Sequence, residues 1–131
     1  MKSDAMEVDR HLGSLLSEYG FVIDEVTEGI EFKDRPAWAV FYRRDDCKLQ
    51  ICWSAREGST DFMLAKPDVP NGFGLAADAT GWHFLLMLSD FDDGLATPAI
   101  DAGSDVWWEW RSELFVAHFP YALRSLQRQK L

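Results

Sequence analysis

The stretch that most constrains the fold of this chain is residues 38–64, which reads as three antiparallel strands joined by two tight turns. The turns are the polar segments 44–46 and 56–58, Arg-Asp-Asp and Arg-Glu-Gly. Apolar runs separated by such short turn segments are typical of hairpins. The sequence therefore predicts a meander of neighbouring antiparallel strands at the centre of the fold.

The register of the middle strand follows from its alternation. Apolar residues recur at every second position in Leu49, Ile51 and Trp53, and Lys48 and Gln50 lie between and before them. A period of two is that of a strand with one face against a core. We predict that the three apolar residues face the core and that Lys48 and Gln50 face solvent.

One amphipathic helix precedes this sheet, with Asp4 as its predicted cap, Glu7 three residues later, and Gly20 as a left-handed C-terminal cap. Segments 21–26 and 30–33 alternate as short strands around a turn at 27–29, which gives five strands in meander order. The apolar face of the helix should cover the sheet. It consists of Val8, Leu12, Leu15, Leu16 and Tyr19.

The second half of the chain predicts helices around a loop. Residues 75–88 favour a helix despite Gly81, although so short an apolar segment would also suit a buried strand, and residues 90–104 form a long acidic loop. A last helix should begin at the caps Ser104 and Asp105 and be kinked or split at Pro120. We therefore expect a single α+β domain over residues 1–131: an N-terminal helix, a five-stranded antiparallel meander sheet, and C-terminal helices packed on one face.

Charge restricts the choice of partners. The chain has 22 acidic and 13 basic residues, a net charge of -9. Such a field repels phosphate backbones and anionic lipid and attracts cations. We expect no nucleic acid and no membrane as partners, and a basic protein if there is a protein partner. The alternative is that the negative charge serves only solubility and has no connection with a partner.

The two cysteines predict no disulfide. On one strand, Cys47 and Cys52 would lie roughly 16 Å apart on opposite faces, beyond the reach of a disulfide bond. The first nine residues lack the apolar core that a secretion signal requires. Free thiols and a cytoplasmic location are therefore expected.

No segment carries a recognisable catalytic or metal motif. The aspartates at 90, 92 and 93 before Gly94 suggest a cation loop, but their spacing does not match that of an EF-hand, and we predict no metal and no cofactor. His83 and His118 could line a pocket with tryptophans, although each lacks a motif and a lone histidine is more often structural. Such a pocket would make the chain a small-molecule binder or an enzyme.

Tryptophan is unusually frequent, with six in 131 residues. Trp107, Trp108 and Trp110 point in different directions on one helix, so that one core face cannot easily absorb all of them. Two explanations are open: the helix is buried on several sides, or an aromatic patch serves a partner or a homodimer.

The order of helix, sheet, acidic loop and helix, together with the strand-turn-strand segment 47–64, resembles the small acidic immunity-type proteins of bacterial toxin systems. This resemblance implies a non-enzymatic protein that neutralises a toxin by binding it, with acidic surface residues in the contact. A second resemblance is to the small acidic chaperones of type III secretion. Those chaperones have a strand pair before the last helix, which is not evident here.

These observations predict a protein-binding surface in the last third of the chain. It would combine the loop residues Asp90, Asp92 and Asp93 with an outward aromatic stripe containing Trp108 and Phe115. Carboxylates would speed encounter with a basic partner, and the aromatic side chains would then hold it. Burial of Trp108 inside a monomer would contradict this prediction.

Overall fold

The computed structural model describes residues 5–76 and 80–129. An N-terminal helix precedes a five-stranded antiparallel sheet, and two further helices follow the sheet. The predicted α+β class is therefore confirmed. The elements are α1 (Met6–Glu18), β1 (Val22–Phe32), β2 (Arg35–Arg43), β3 (Lys48–Ser54), β4 (Ser59–Ala65), β5 (His83–Phe84), α2 (Leu85–Leu88) and α3 (Ser104–Arg128).

The sheet keeps the chain order β1-β2-β3-β4-β5, but its first and last strands differ from the prediction. The predicted hairpin at 27–29 is wrong, because β1 continues through this segment as a single strand. An irregularity in the β1–β2 register between Thr27 and Ile30 accommodates Gly29, whose φ is +72°. A bulge around one such glycine bends a strand without reversing it. The fifth strand is instead β5, which lies in segment 75–88, where the sequence favoured a helix and left a buried strand as the alternative.

Both faces of the sheet are buried. On the first face, side chains such as Leu49, Ile51 and Phe62 pack against α1 and α3. On the second face, Met63 packs with the loop that follows β4 and with Trp82. Leu49 and Ile51 thus confirm the predicted core, and the partly buried Trp53 packs against it.

The prediction that Lys48 and Gln50 face solvent is wrong for Gln50, which is fully buried. Its side chain lies on the second face, where Nε2 donates to Gly72 O at 3.0 Å and Oε1 accepts from Gly74 N at 2.9 Å. Lys48 is half-buried, and its Nζ donates to Val69 O at 2.8 Å. A polar side chain on the face of the sheet away from one core is therefore not always exposed to solvent, because a loop can return and cover that face.

Helix α1 ends as its sequence predicts. Gly20 has a φ of +85°, Phe21 N donates to Leu16 O at 3.0 Å, and Gly20 N donates to Ser17 O at 3.0 Å. These two bonds form a Schellman motif, for which a left-handed glycine is well suited. The predicted cap Asp4 lies outside the described residues.

Helix α3 is one continuous helix through Pro120, so of the two predicted outcomes the split is wrong and the kink stays a prediction. Pro120 and Val116, whose carbonyl loses its donor, both lie on an exposed part of the helix, where water can replace the missing bond. The predicted caps are also wrong, because Gly103 is the N-cap and no side chain caps the helix.

The predicted helix over 75–88 is confirmed only at α2, which follows β5 directly. Residues 77–79 of that prediction lie outside the described residues. Cys47 and Cys52 are both buried and free, on opposite faces of the sheet. Within the two described ranges, no helix combines the length and the apolar character needed to cross a membrane.

Candidate functional site

The aromatic part of the predicted binding surface lies in the core. Phe115 is fully buried and Trp108 is 5% exposed. Phe115 contacts the rings of Tyr19, Phe62 and Phe119, at centroid distances between 5.0 and 5.8 Å. The prediction of an outward stripe with these two residues is therefore wrong. The helix is buried on two sides because α1 covers the flank that the sheet leaves free.

The acidic part of the predicted surface is exposed at Asp90 and Asp92, and their role in binding a partner stays a prediction. Asp93 instead turns inward. Its Oδ2 hydrogen-bonds Nε2 of the buried His118, and its Oδ1 accepts from Leu95 N at 2.7 Å. The hydrogen bond from Leu95 and the one from His118 lower the pKa of the Asp93 carboxyl.

His118 also meets a serine, since Ser89 Oγ lies 2.7 Å from its Nδ1. Ser89, His118 and Asp93 thus form a hydrogen-bonded chain, and none of the three lines the large cavity described below. The rings of Phe91 and His118 meet edge to face at a centroid distance of 6.1 Å, and Phe91 N donates to Ser89 Oγ at 3.3 Å. This geometry ties the acidic loop to α3. In the described part of the chain, no group of three His, Cys, Asp or Glu side chains is placed to hold a metal.

A cleft of about 800 Å³ lies beside α3, and we call it the tryptophan cleft. Its walls are the first half of α3, the turn and first residues of β4, the β5–α2 junction, and the end of the acidic loop. They consist of Glu7, Trp53, Gly58, Ser59, Thr60, Asp61, Phe62, Phe84, Leu85, Leu86, Met87, Ile100, Ala102, Ser104, Trp107, Trp108, Trp110, Arg111 and Leu114.

Four of the six tryptophans line this cleft, and one arginine stacks against two of them. Trp107 and Trp110 meet edge to face at 5.6 Å. The guanidinium carbon of Arg111 lies 4.7 Å from the ring of Trp108 and 5.8 Å from that of Trp107. Burial lowers the pKa of Arg111, and the charge of Asp61 opposes this effect. Arg111 Nε is buried and has no hydrogen-bond partner within the described residues.

The mouth of the cleft is apolar and exposed. Ile100 is 97% exposed, Met87 81% and Leu86 51%, and Phe84 is also exposed. These four side chains lie on two segments that are far apart in the sequence but meet at one cavity. Exposed apolar residues grouped around one cavity are more informative than single exposed apolar residues, which are normal on protein surfaces.

Asp61 contributes to the wall of the cleft. It lies opposite Cys52 in the β3–β4 register, and directly opposed residues share a face of the sheet. Cys52 belongs to the second core, so the Asp61 side chain leaves β4 on that face, and its charge still acts on Arg111 of α3. Burial raises the pKa of Asp61, Glu57 adds to the rise, and a hydrogen bond from Ser59 opposes it.

Asp61→Asn should therefore increase the free energy of unfolding at neutral pH. With a raised pKa, the folded state keeps a proton that the unfolded state loses as pH rises above the ordinary value of 3.8. The free energy of unfolding therefore decreases as pH rises from 3.8 to the raised pKa of folded Asp61. Above that pKa the decrease is complete. Urea titrations of both proteins across pH should show a gain in the variant that disappears in acid. A gain that is equal at all pH values would contradict the electrostatic cause.

The sequence predicted tryptophans in excess of one core face, but not the cavity that they form. Trp53 is on β3, Trp107 and Trp110 are on α3, and Met87 and Ile100 lie in segments without clear periodicity. His83 and His118, expected beside tryptophans in a pocket, do not line the cleft. The surplus of tryptophan was the available signal, and the meeting of these segments depends on tertiary structure.

No family model matches this sequence, and no curated protein or solved structure matches it significantly.

Proposed function

We propose that this chain is a non-enzymatic protein-binding domain and that the tryptophan cleft is its binding site. The observation that supports the proposal is the exposed apolar rim of Met87 and Ile100 around a cavity with aromatic walls. Exposed apolar side chains grouped around a cavity are typical of interaction sites, and tryptophan is enriched at the hot spots of interfaces. A protein partner would remove both the walls and the rim from water.

The partner that fits best is basic. The chain has a net charge of -9, and exposed Asp101 and Asp105 stand next to residues that line the cleft. Complementary charge would speed encounter, and the aromatic walls would then slow dissociation. A second copy of the chain fits less well because it would bring the same negative field. This partner class agrees with the resemblance to immunity-type proteins, with the site placed at the cleft.

A small-molecule binder is the second candidate. A volume of about 800 Å³ falls within the range of ligand pockets, and Nε of Arg111, a residue that lines the cleft, has no hydrogen-bond partner among the described residues. A small ligand enclosed in the cleft would fill the space between the aromatic walls but would leave Met87 and Ile100 exposed to water. The rim is therefore the reason to prefer a protein partner.

Selection of random displayed peptides on the full chain should yield binders rich in apolar residues. Their affinity should fall roughly a hundredfold or more when Met87 and Ile100 are both replaced by serine, since burying each side chain contributes about 1.5 to 3 kcal/mol. Calorimetric titration of one selected peptide with both proteins measures the change. The folded fraction of the variant should be unchanged, because both side chains are exposed.

Ile23→Ser is the matched control. Ile23 is 50% exposed on β1, at the opposite edge of the sheet from the cleft. It should leave the affinity of the peptide unchanged. Equal losses of peptide affinity in the Met87/Ile100 double variant and in Ile23→Ser would overturn the cleft as the protein-binding site. So would peptides whose affinity does not change in the double variant.

A further inference from the structure

One edge of the sheet is left open inside the tryptophan cleft. Strand β4 pairs with β3 along all seven of its residues. On its other side it pairs with β5 only at Met63 and Leu64. Within the described residues, no strand pairs with that side of residues 59–62. Each strand residue has backbone groups directed sideways, so this edge presents donors and acceptors to the cavity.

The edge is open because the chain turns away from it. The β5 register places Phe84 opposite Met63, so a longer β5 would place Leu85 opposite Phe62. Instead α2 begins at Leu85, and its residues leave the sheet to form one wall of the cleft. The cavity therefore lies where the missing part of the strand would run. Four strand residues span about 13 Å at 3.3 Å each.

The free edge of β4 lacks the protection found at the other edge of the sheet. β1 carries two register irregularities and four acidic side chains, which discourage pairing with another chain. The β3–β4 register has no irregularity, and Asp61 is the one charged residue in segment 59–62. Natural sheets seldom leave a regular edge uncovered without a use for it.

We propose that the partner segment binds as an extended strand on the free edge of β4, beside residues 59–62 and in line with β5. This inference rests on the proposed protein-binding function. Main-chain hydrogen bonds to β4 would supply affinity. Side chains on one face of the added strand would contact Trp107 and Trp110, and those of alternate residues would face away. The occupant is thus an extended apolar segment of a basic protein, not a helix laid in the groove.

The test uses the peptide selected on the full chain and removes its backbone donors one at a time. N-methylation of amides that face β4 should weaken binding about three- to tenfold each, since each removes one hydrogen bond. Methylation of the intervening amides, which point away from β4, is the matched control and should have little effect. The affected positions should therefore alternate along the peptide.

Amide hydrogen exchange provides the second measurement. Binding should slow exchange at the residues of segment 59–62 whose N–H groups point away from β3. A peptide that binds without this protection, or whose sensitive positions are three or four apart, would overturn strand addition and leave the protein-binding function standing. Failure of every peptide to bind would overturn the proposed function itself.

Discussion

Phe115→Ala should lower the free energy of unfolding by about 3 to 5 kcal/mol, the largest loss we expect from a single truncation in this chain. The side chain is fully buried on α3, and its ring contacts aromatic rings from three other parts of the fold: Tyr19 after α1, Phe21 before β1, and Phe62 on β4. Its removal would leave a cavity where these elements meet, and the rigid rings around it could close that space only in part. Urea denaturation followed by circular dichroism measures the change.

Val116→Ala is the control in the same helix turn. Val116 is 44% exposed, so the substitution should change the unfolding free energy by less than about 1 kcal/mol. The sequence-based interpretation placed Phe115 at an outward binding surface, where its truncation would leave stability unchanged. A wild-type denaturation midpoint for Phe115→Ala would therefore contradict the core position.

The assignment of the C-terminal aromatic residues shows what periodicity can and cannot predict. The sequence predicted an aromatic stripe on α3 that contains Trp108 and Phe115, and both side chains are buried. It could not say what covers that stripe. The fold brings α1 against the flank of α3, where His11 stacks on Trp108 at 5.2 Å. A contact between two helices so distant in sequence leaves no local signal.

The edges of the sheet were the least predictable part of the fold. A glycine beside polar residues at 27–29 has the composition of a turn, yet Gly29 sits within a continuous strand and the reversal occurs at Lys33 and Asp34, both with positive φ. Non-glycine residues with positive φ are uncommon, so local propensity favoured the wrong position. β5 has two residues, which is too short for any alternation to indicate a strand.

The candidate site was predicted in its chemistry but not in its place. Surplus tryptophan and acidic charge indicated a binding role, and both features remain part of the proposal. Asp93, expected to face a partner, is used inside the molecule to fix the loop onto His118. The rim side chains Met87 and Ile100 had no periodic context in the sequence, and their exposure becomes meaningful only beside the cavity.

Gln50 shows the same gap between pattern and packing on the second face of the sheet. Alternation along β3 places the side chains of Gln50 and Ile51 on different faces of the sheet, which is correct. The loop after β4, however, returns over the face that carries Gln50. The return is close at Gly74, where a Cβ would lie 2.1 Å from the sulfur of Met63, so only glycine fits without movement. The amide of Gln50 binds this loop at two backbone groups, Gly72 O and Gly74 N.

Gln50→Leu should lower the free energy of unfolding by about 1 to 3 kcal/mol, because it removes the side-chain hydrogen bonds to Gly72 O and Gly74 N while keeping a side chain of similar size. The exchange of the Gly74 amide should also become faster, since its acceptor is lost. Gln127→Leu, on an exposed turn of α3, makes the same chemical change without these bonds and should be nearly neutral. Urea denaturation and amide exchange of both variants decide the matter. If Gln50→Leu matches Gln127→Leu in both measurements, Gln50 faces solvent as alternation alone predicts, and the loop is held by apolar contacts without it.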